Sequence, residues 1–590
     1  MPRHSYCLFA LLLIVSQSAA AQSPITPDNP SSLQQGIDAA IHTNAKQITI
    51  PPGVYRLDAT LQFSNLSDFK IIATGATLLR TQPTKQGLAF NHCRHVTLRG
   101  LTIQCETPPF TQGVIEAIDP AGAWIDLRVD AGYTAYFNRA TTGYVFDPKT
   151  RQWKPGCNDY GITSGDDRGN NLYRLHLDHA LRAGDRPMVV GDLMAFRGPG
   201  AQDIYLGGCA DMSITNVTIR NGSGFCVHEG GGDGDNHYSY KLTYGPVPSG
   251  GTAPPLIASN ADAFHSGGMR HGPTLENCSF EGMCDDGIPI HGYYAMVVRK
   301  GPVTTADLDI ICEGNRNFFM AGDPLRLFDK HGALVGEAIV VTTDSTGEPY
   351  SGAEPDKHFK SARRVFHLKL DQPLVTEDGF RASDPHANGS GFVIRNCVIR
   401  NHRARGMLIK ADDGLIENNT IDSSTICDLL IAPELYWNEA CYSRNLIVRN
   451  NIFRHSGYAT TGPWNAQAGT VTLEGEGSKM GVAEGHQHIV FENNTFEDND
   501  GVNLVIDGAQ DVLVKDNRFV RPQQQANRRG ADRKIDPESL IWLSNCRDVR
   551  FEGNTVVEPG PYEKSLIGAG ANAVDITVRE GGVRAGRGEE

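Results

Sequence analysis

A chain of 590 residues is longer than one globular core sustains, so it holds either several domains or an elongated repeat. With 64 glycines, only 21% charged residues and no amphipathic helix pattern after the first 45 residues, the composition favours a β-rich solenoid. A formal net charge of −14 without clustered Lys and Arg argues against a nucleic-acid partner and fits neutral sugars better than polyanions.

The chain opens with Arg3 and His4, an apolar run at 7–15, and the small residues Ser18, Ala19, Ala20 and Ala21, which read as an export signal over 1–21. The run is too short to cross a bilayer, and no later segment offers about 20 consecutive apolar residues. An exported protein, periplasmic or secreted and without a membrane span, is expected. The remaining cysteines form neither CxxC pairs nor His/Cys zinc spacings, so no metal or cofactor is expected, while buried thiols and disulfides both stay open.

Residues 31–41 carry N-cap residues and apolar positions at 33, 37, 40 and 41, which predicts a short amphipathic helix over the end of a solenoid. A strand at 47–50 and the turn Pro51-Pro52-Gly53 begin the coils. A nine-residue pattern then recurs at 95–103, 211–219, 272–280, 391–399, 413–421, 445–453, 488–496, 511–519 and 548–556. Each copy alternates apolar and polar residues, bends, and resumes with an apolar residue, which is a strand, a tight turn and a second strand. Asn419, Asn451, Asn494, Asn517 and Asn554 occupy the bend, where the side-chain amide can bond the next coil in a ladder. The step is 22 from Cys397 to Asn419 and 23 from Asn494 to Asn517. The expected fold class is all-β, a right-handed parallel β-helix with two inserted small antiparallel β-barrels.

The barrels are read from alternating segments that break the period, at 113–118, 123–129 and 192–197, and at 308–312, 338–342 and 365–370. The domain order predicted is a cap with first coils over 22–104, a barrel over 105–207, coils with the candidate site over 208–292, a barrel over 293–390, coils over 391–575 and a flexible tail over 576–590. Exposed coil ends can pair, which allows a homodimer.

Asp262 is followed 23 residues later by Asp285 and then by Asp286, close to one coil. Neighbouring parallel strands place equivalent residues roughly 5 Å apart, so three carboxylates share one patch. Aligning Cys278 with Cys397 sets Asp286 opposite Arg405 and His291 opposite Lys410. Carboxylates crowded by like charge and flanked by cations have separated pKa values, as acid and base chemistry on a glycosidic bond requires. An isolated Asp-Gly is usually a turn, and Asp412-Asp413 shows that a doublet alone is weak; the match of Asp285 and Asp286 to Asp262 one coil away is what singles them out. His265, His291, Arg405 and Lys410 are candidate substrate contacts, although the cations equally serve to neutralise the acids. Glu434, Trp437 and Glu474, with Tyr436, Trp464 and Glu476 nearby, suit a sugar through stacking and hydroxyl hydrogen bonds. The run 229–235 reads as a flexible loop at the same rim.

With the three aspartates at this spacing between Asn260 and Gly292, the chain resembles glycoside hydrolase family 110. The resemblance implies an exo-acting, inverting enzyme that removes terminal α-1,3-linked galactose, as from blood-group B or linear α-galactosyl glycans. It further implies Asp285 as general acid, with Asp262 and Asp286 holding the water. Inversion usually takes carboxyls roughly 6.5 to 9.5 Å apart, wider than facing neighbours on stacked coils. A polygalacturonase-like hydrolase, kept open by Arg405 and Lys410, a polysaccharide lyase and a non-catalytic glycan-binding solenoid are the alternatives.

Overall fold

The computed structural model describes residues 25–586 apart from 28–29, 138–139, 158, 182–187, 299–300, 345–346, 351–356, 458–466, 476–484, 528 and 580–581. The expected export signal, Trp464 and Glu476 lie outside the described residues.

The fold is all-β: a parallel β-helix interrupted by two small antiparallel barrels. Its first coil is covered by the helix Pro30–His42, which buries Leu33, Ile37 and Ala40. A regular coil contributes three strands, such as Val393–Arg395, Val398–His402 and Arg405–Ile409. The next coil lays Leu415–Glu417, Thr420–Ser424 and Cys427–Ile431 on them in register. Parallel register stacks like on like: Ile394, Ile416, Val448, Phe491, Val514 and Phe551 form one fully buried column. Each such side chain contributes about 1.5–3 kcal/mol of apolar burial.

The bend divides two jobs between adjacent residues. Asn418, Asn450, Asn493 and Asp516 take the left-handed backbone that turns the chain, with φ between 53° and 56°. The residue after each builds the ladder: the side-chain amides of Asn419, Asn451, Asn494 and Asn517 each donate at 3.0 Å to the Asn Oδ1 of the following coil, ending on Asn554. A buried amide can be satisfied in this way only if every neighbour is also an amide.

The first barrel closes through Phe110–Ile118, Trp124–Val129, Thr141–Phe146, Tyr160–Gly169, Leu172–Leu177 and Leu193–Arg197. The second forms a ring from Ile288–Val297, Val303–Ile311, Arg364–Thr376, Leu334–Thr343, Pro324–Phe328 and Arg381–Ser383, whose pairings return to the first strand. The strand Ile288–Val297 starts in the coil, parallel to Arg405–Ile409, and ends in the barrel.

One question left open is answered and two expectations change. The twelve described cysteines are all free thiols, and Cys278 lies beside Cys397 as a stacked pair rather than a disulfide. Glu229 is not in a flexible loop: it is fully buried and accepts from Ser266, Tyr238 and Asn236 at 2.6 to 2.8 Å. Strand pairing continues past residue 575, with Val583–Gly586 on Asn554–Val557, because the repeat still supplies alternating residues there. Among the described residues no helix is long and apolar enough to cross a membrane.

Candidate active site

The site lies where the strands before the second barrel meet the coil that follows it. Asp262 precedes the strand Phe264–Gly267, and Asp285 and Asp286 precede Ile288–Val297. Backbone bonds from Ala263 N to Asp286 O (3.2 Å) and Phe264 N to Gly287 O (3.0 Å) put Asp262 in register with Asp286 rather than Asp285. Pairing of Ile288 with Met407 continues that column to Arg405 and sets His291 beside Lys410, as the cysteine alignment predicts. The loop ahead of Asp262 is fixed by Asn260, whose amide donates to Pro109 O at 2.7 Å and Ser223 O at 3.2 Å. Oxygens of Asp262, Asp285 and Asp286, one from each, all lie within 4.8 Å of one another.

Adjacent residues leave an extended chain on opposite sides, so Asp285 and Asp286 find different partners. Asp285 is held between Arg197 Nη1 at 2.9 Å and Arg403 Nη1 at 2.7 Å. Burial pushes its carboxyl up, but Arg197, Arg403 and Arg405 outweigh that and hold it at about 2. Asp286 accepts from the Arg405 backbone N–H at 2.9 Å and pairs with its guanidinium at 3.0 Å. Burial, with Asp285 and Asp262 beside it and only Arg405 opposing, places it at about 7. Asp262, buried and close to Asp285, is raised well above the carboxylate range. Its Oδ2 lies 2.8 Å from His265 Nδ1.

Sequence reasoning missed four contributors. Arg197 ends the last strand of the first barrel, and Asp159, from the same barrel, binds Arg403 Nε at 2.9 Å. Tyr144 lies under both arginines, with centroids 5.5 and 5.6 Å away. Glu439 accepts from Lys410 Nζ at 2.6 Å and is held well below its usual value by Lys410, His291 and His265, against burial. Nothing in the spacing marks Asp159 or Tyr144.

The predicted substrate contacts divide. Lys410 is fully buried and also donates to Glu434 at 2.9 Å, so both feet of the loop 434–439 stand on one ammonium. Tyr436 and Trp437 form the tip of that loop, 68% and 46% exposed, where a sugar ring can stack. Glu474 is fully buried two strands beyond Arg405–Ile409, in the His291 and Lys410 column and about 10 Å from Lys410 by strand spacing. His265 and His291 meet at 3.0 Å through their Nε2 atoms.

No family model matches the chain. It is 24% identical over 460 residues to α-1,3-galactosidase B of Phocaeicola vulgatus, covering 71% of this chain and 73% of that one. It is 23% identical over 592 residues to α-1,3-galactosidase A of Bacteroides fragilis, covering 91% of each. These relatives, 22–24% identical over most of the chain, support its assignment to the α-1,3-galactosidases. Among solved structures, the Yersinia enterocolitica family 28 exopolygalacturonase is 14% identical, with a TM-score of 0.40 over 92% of this chain and 74% of that one.

Two sets of groups bring three ligand atoms to one point at the site: the aspartates, and His265, His291 and Glu439. Both are already served by the protein's own cations and hydrogen bonds. Asp285 is clamped by two guanidiniums, Glu439 by Lys410, and the two imidazoles by each other. They read as networks rather than cation cages.

Proposed function

We propose that the chain is an exo-acting α-1,3-galactosidase that hydrolyses terminal α-1,3-linked galactose with inversion, using Asp262, Asp285 and Asp286. The observation that carries this reading is the carboxylate triad on a β-helix, in a chain related to α-1,3-galactosidases over most of its length. Oxygens within 4.8 Å of one another are closer than the roughly 6.5 to 9.5 Å usual for inversion, but a water that bonds two of them at about 2.8 Å each subtends at most about 118°, close to tetrahedral, so one can still be held. Asp262 and Asp286, in register on successive coils, suit that pair. Asp285 is the most exposed of the three, 27% against 5% and 7%, which suits contact with the glycosidic oxygen. An exported protein acting on blood-group B or linear α-galactosyl glycans fits the sequence signal and the sugar-stacking rim.

A second division of labour is favoured by the charges. A proton donor must hold its proton at working pH; the arginine clamp keeps Asp285 ionised, while Asp286 sits at about 7. On that reading Asp286 donates and Asp285 is the permanent carboxylate. Leaving-group dependence separates the two. Loss of the donor is rescued by an activated aryl α-galactoside, whose leaving group needs no proton, and loss of the base is not. Asp285→Asn rescued in this way supports Asp285 as donor, and rescue of Asp286→Asn instead supports Asp286. A parent protein that releases galactose from neither an α-1,3-linked disaccharide nor the aryl galactoside overturns both.

A further inference from the structure

The hydrogen bonds behind Asp262 have a direction that the structure fixes, starting from an atom that can only accept. His291 Nδ1 lies 2.8 Å from the carbonyl oxygen of Gly292, so Nδ1 carries the hydrogen. Burial keeps this imidazole neutral, at about 4, which leaves His291 Nε2 as a bare acceptor. The atom 3.0 Å from it is His265 Nε2, which must therefore donate. A neutral His265 with hydrogen on Nε2 has a bare Nδ1, and that nitrogen faces Asp262 Oδ2 at 2.8 Å. One proton thus lies between Asp262 and His265, and the Gly292 carbonyl, acting through His291, sets where.

Resting on the reading above, in which Asp262 helps to hold the attacking water, we propose that His265 is a positioning residue that stores the proton of Asp262. In the resting state Asp262 carries it and donates to Nδ1. When the water is to be activated, this proton moves to Nδ1 of His265, giving an imidazolium and a free carboxylate. The carboxylate then takes a proton from the water as the oxygen bonds the anomeric carbon and the glycosidic bond breaks. The departing oxygen takes its proton from the general acid; Asp262 now holds the proton from the water, and passage of the stored proton from His265 through solvent to the spent general acid restores the resting state.

The surroundings suit this role. The ring of Phe225 stacks on His265 with centroids 4.3 Å apart, fixing its plane, and His228 packs edge-on at 5.1 Å. His228, buried and near two other imidazoles, is held neutral at about 3, so it adds no competing charge. Burial, with Lys410, outweighs Glu439, Asp286 and Asp285 and lowers the His265 value, so His265 rests neutral and the imidazolium forms only in passing. Glu439 Oε1 lies 3.8 Å from His291 Nε2, too far to replace His265 as the hydrogen-bond partner of that nitrogen.

His265→Asn removes the store and keeps a small polar side chain. Asp262 then holds its proton until it ionises by itself, so kcat is expected to fall roughly 100-fold at neutral pH and to recover as pH rises, with KM little changed. A loss that is uniform across pH, or one confined to KM, overturns the proposal and leaves His265 as a structural or substrate contact. Nitrogen-15 NMR of the parent supplies a readout independent of substrate. It is expected to show hydrogen on Nε2 of His265 and on Nδ1 of His291. The opposite tautomer at His265 also overturns the proposal, while absence of galactosidase activity with the expected tautomers would instead sink the assignment of substrate.

Discussion

Arg197→Met tests the electrostatics of the site at the group that dominates them. The substitution keeps most of the aliphatic stem and removes the guanidinium that contacts Asp285 Oδ2 at 2.9 Å and also reaches the Cys284 carbonyl. Of the cations that lower Asp285, Arg197 contributes most, followed by Arg403 and Arg405, and together they overcome burial to bring the carboxyl from 3.8 to about 2. At about 1.4 kcal/mol per tenfold change, that preference for the ionised form is worth roughly 2 kcal/mol. The folded value lies below the unfolded one, so this stability is present above about pH 4 and is lost as pH falls through about 2. Arg197→Met is therefore expected to be less stable than the parent by about 1–2 kcal/mol at pH 7, with the deficit fading between pH 4 and 2. Urea-denaturation midpoints at a series of pH values measure this. A variant as stable as the parent at pH 7, or a deficit that grows on acidification, would refute the reasoning.

Two further substitutions probe the frame and the rim. Asn494→Ala removes a side chain that bonds Val448 O at 2.8 Å and Asn517 Oδ1 at 3.0 Å and accepts from the Asn451 backbone and side chain at 3.0 Å. With buried groups left unsatisfied at about 1–3 kcal/mol each, roughly 3 kcal/mol of stability should be lost, and hydrogen exchange should quicken in the strands flanking residues 451 and 517. Trp437→Ala, at an exposed ring, should leave the melting temperature unchanged and raise KM for oligosaccharides about tenfold, or about 1.4 kcal/mol of binding.

The coils were legible in the sequence because stacking imposes one residue type on each column. Asn419 to Asn554 form a ladder only if all are amides, and Ile394 to Phe551 fill a core column only if all are apolar. The same logic gave the register of Asp286 with Arg405 and of His291 with Lys410. It misplaced the partner of Asp262 by one residue, because a step of 23 was assumed where the backbone bonds take 24. The barrels were readable as interruptions, but not their reach into the site. Arg197, Tyr144 and Asp159 approach Asp285 through tertiary closure of a barrel, and no periodicity records that contact. The expected role of Asp285 rested on a family resemblance, whereas its charge is set by arginines that neither the resemblance nor spacing reveals.

The most direct measurement is a proton NMR time course of the purified protein with an α-1,3-linked galactosyl disaccharide. The account predicts release of free galactose, with the β-anomer appearing first and the α-anomer following by mutarotation. Release of the α-anomer first would contradict inversion. No galactose release, together with cleavage of polygalacturonate, would contradict the assignment as a whole.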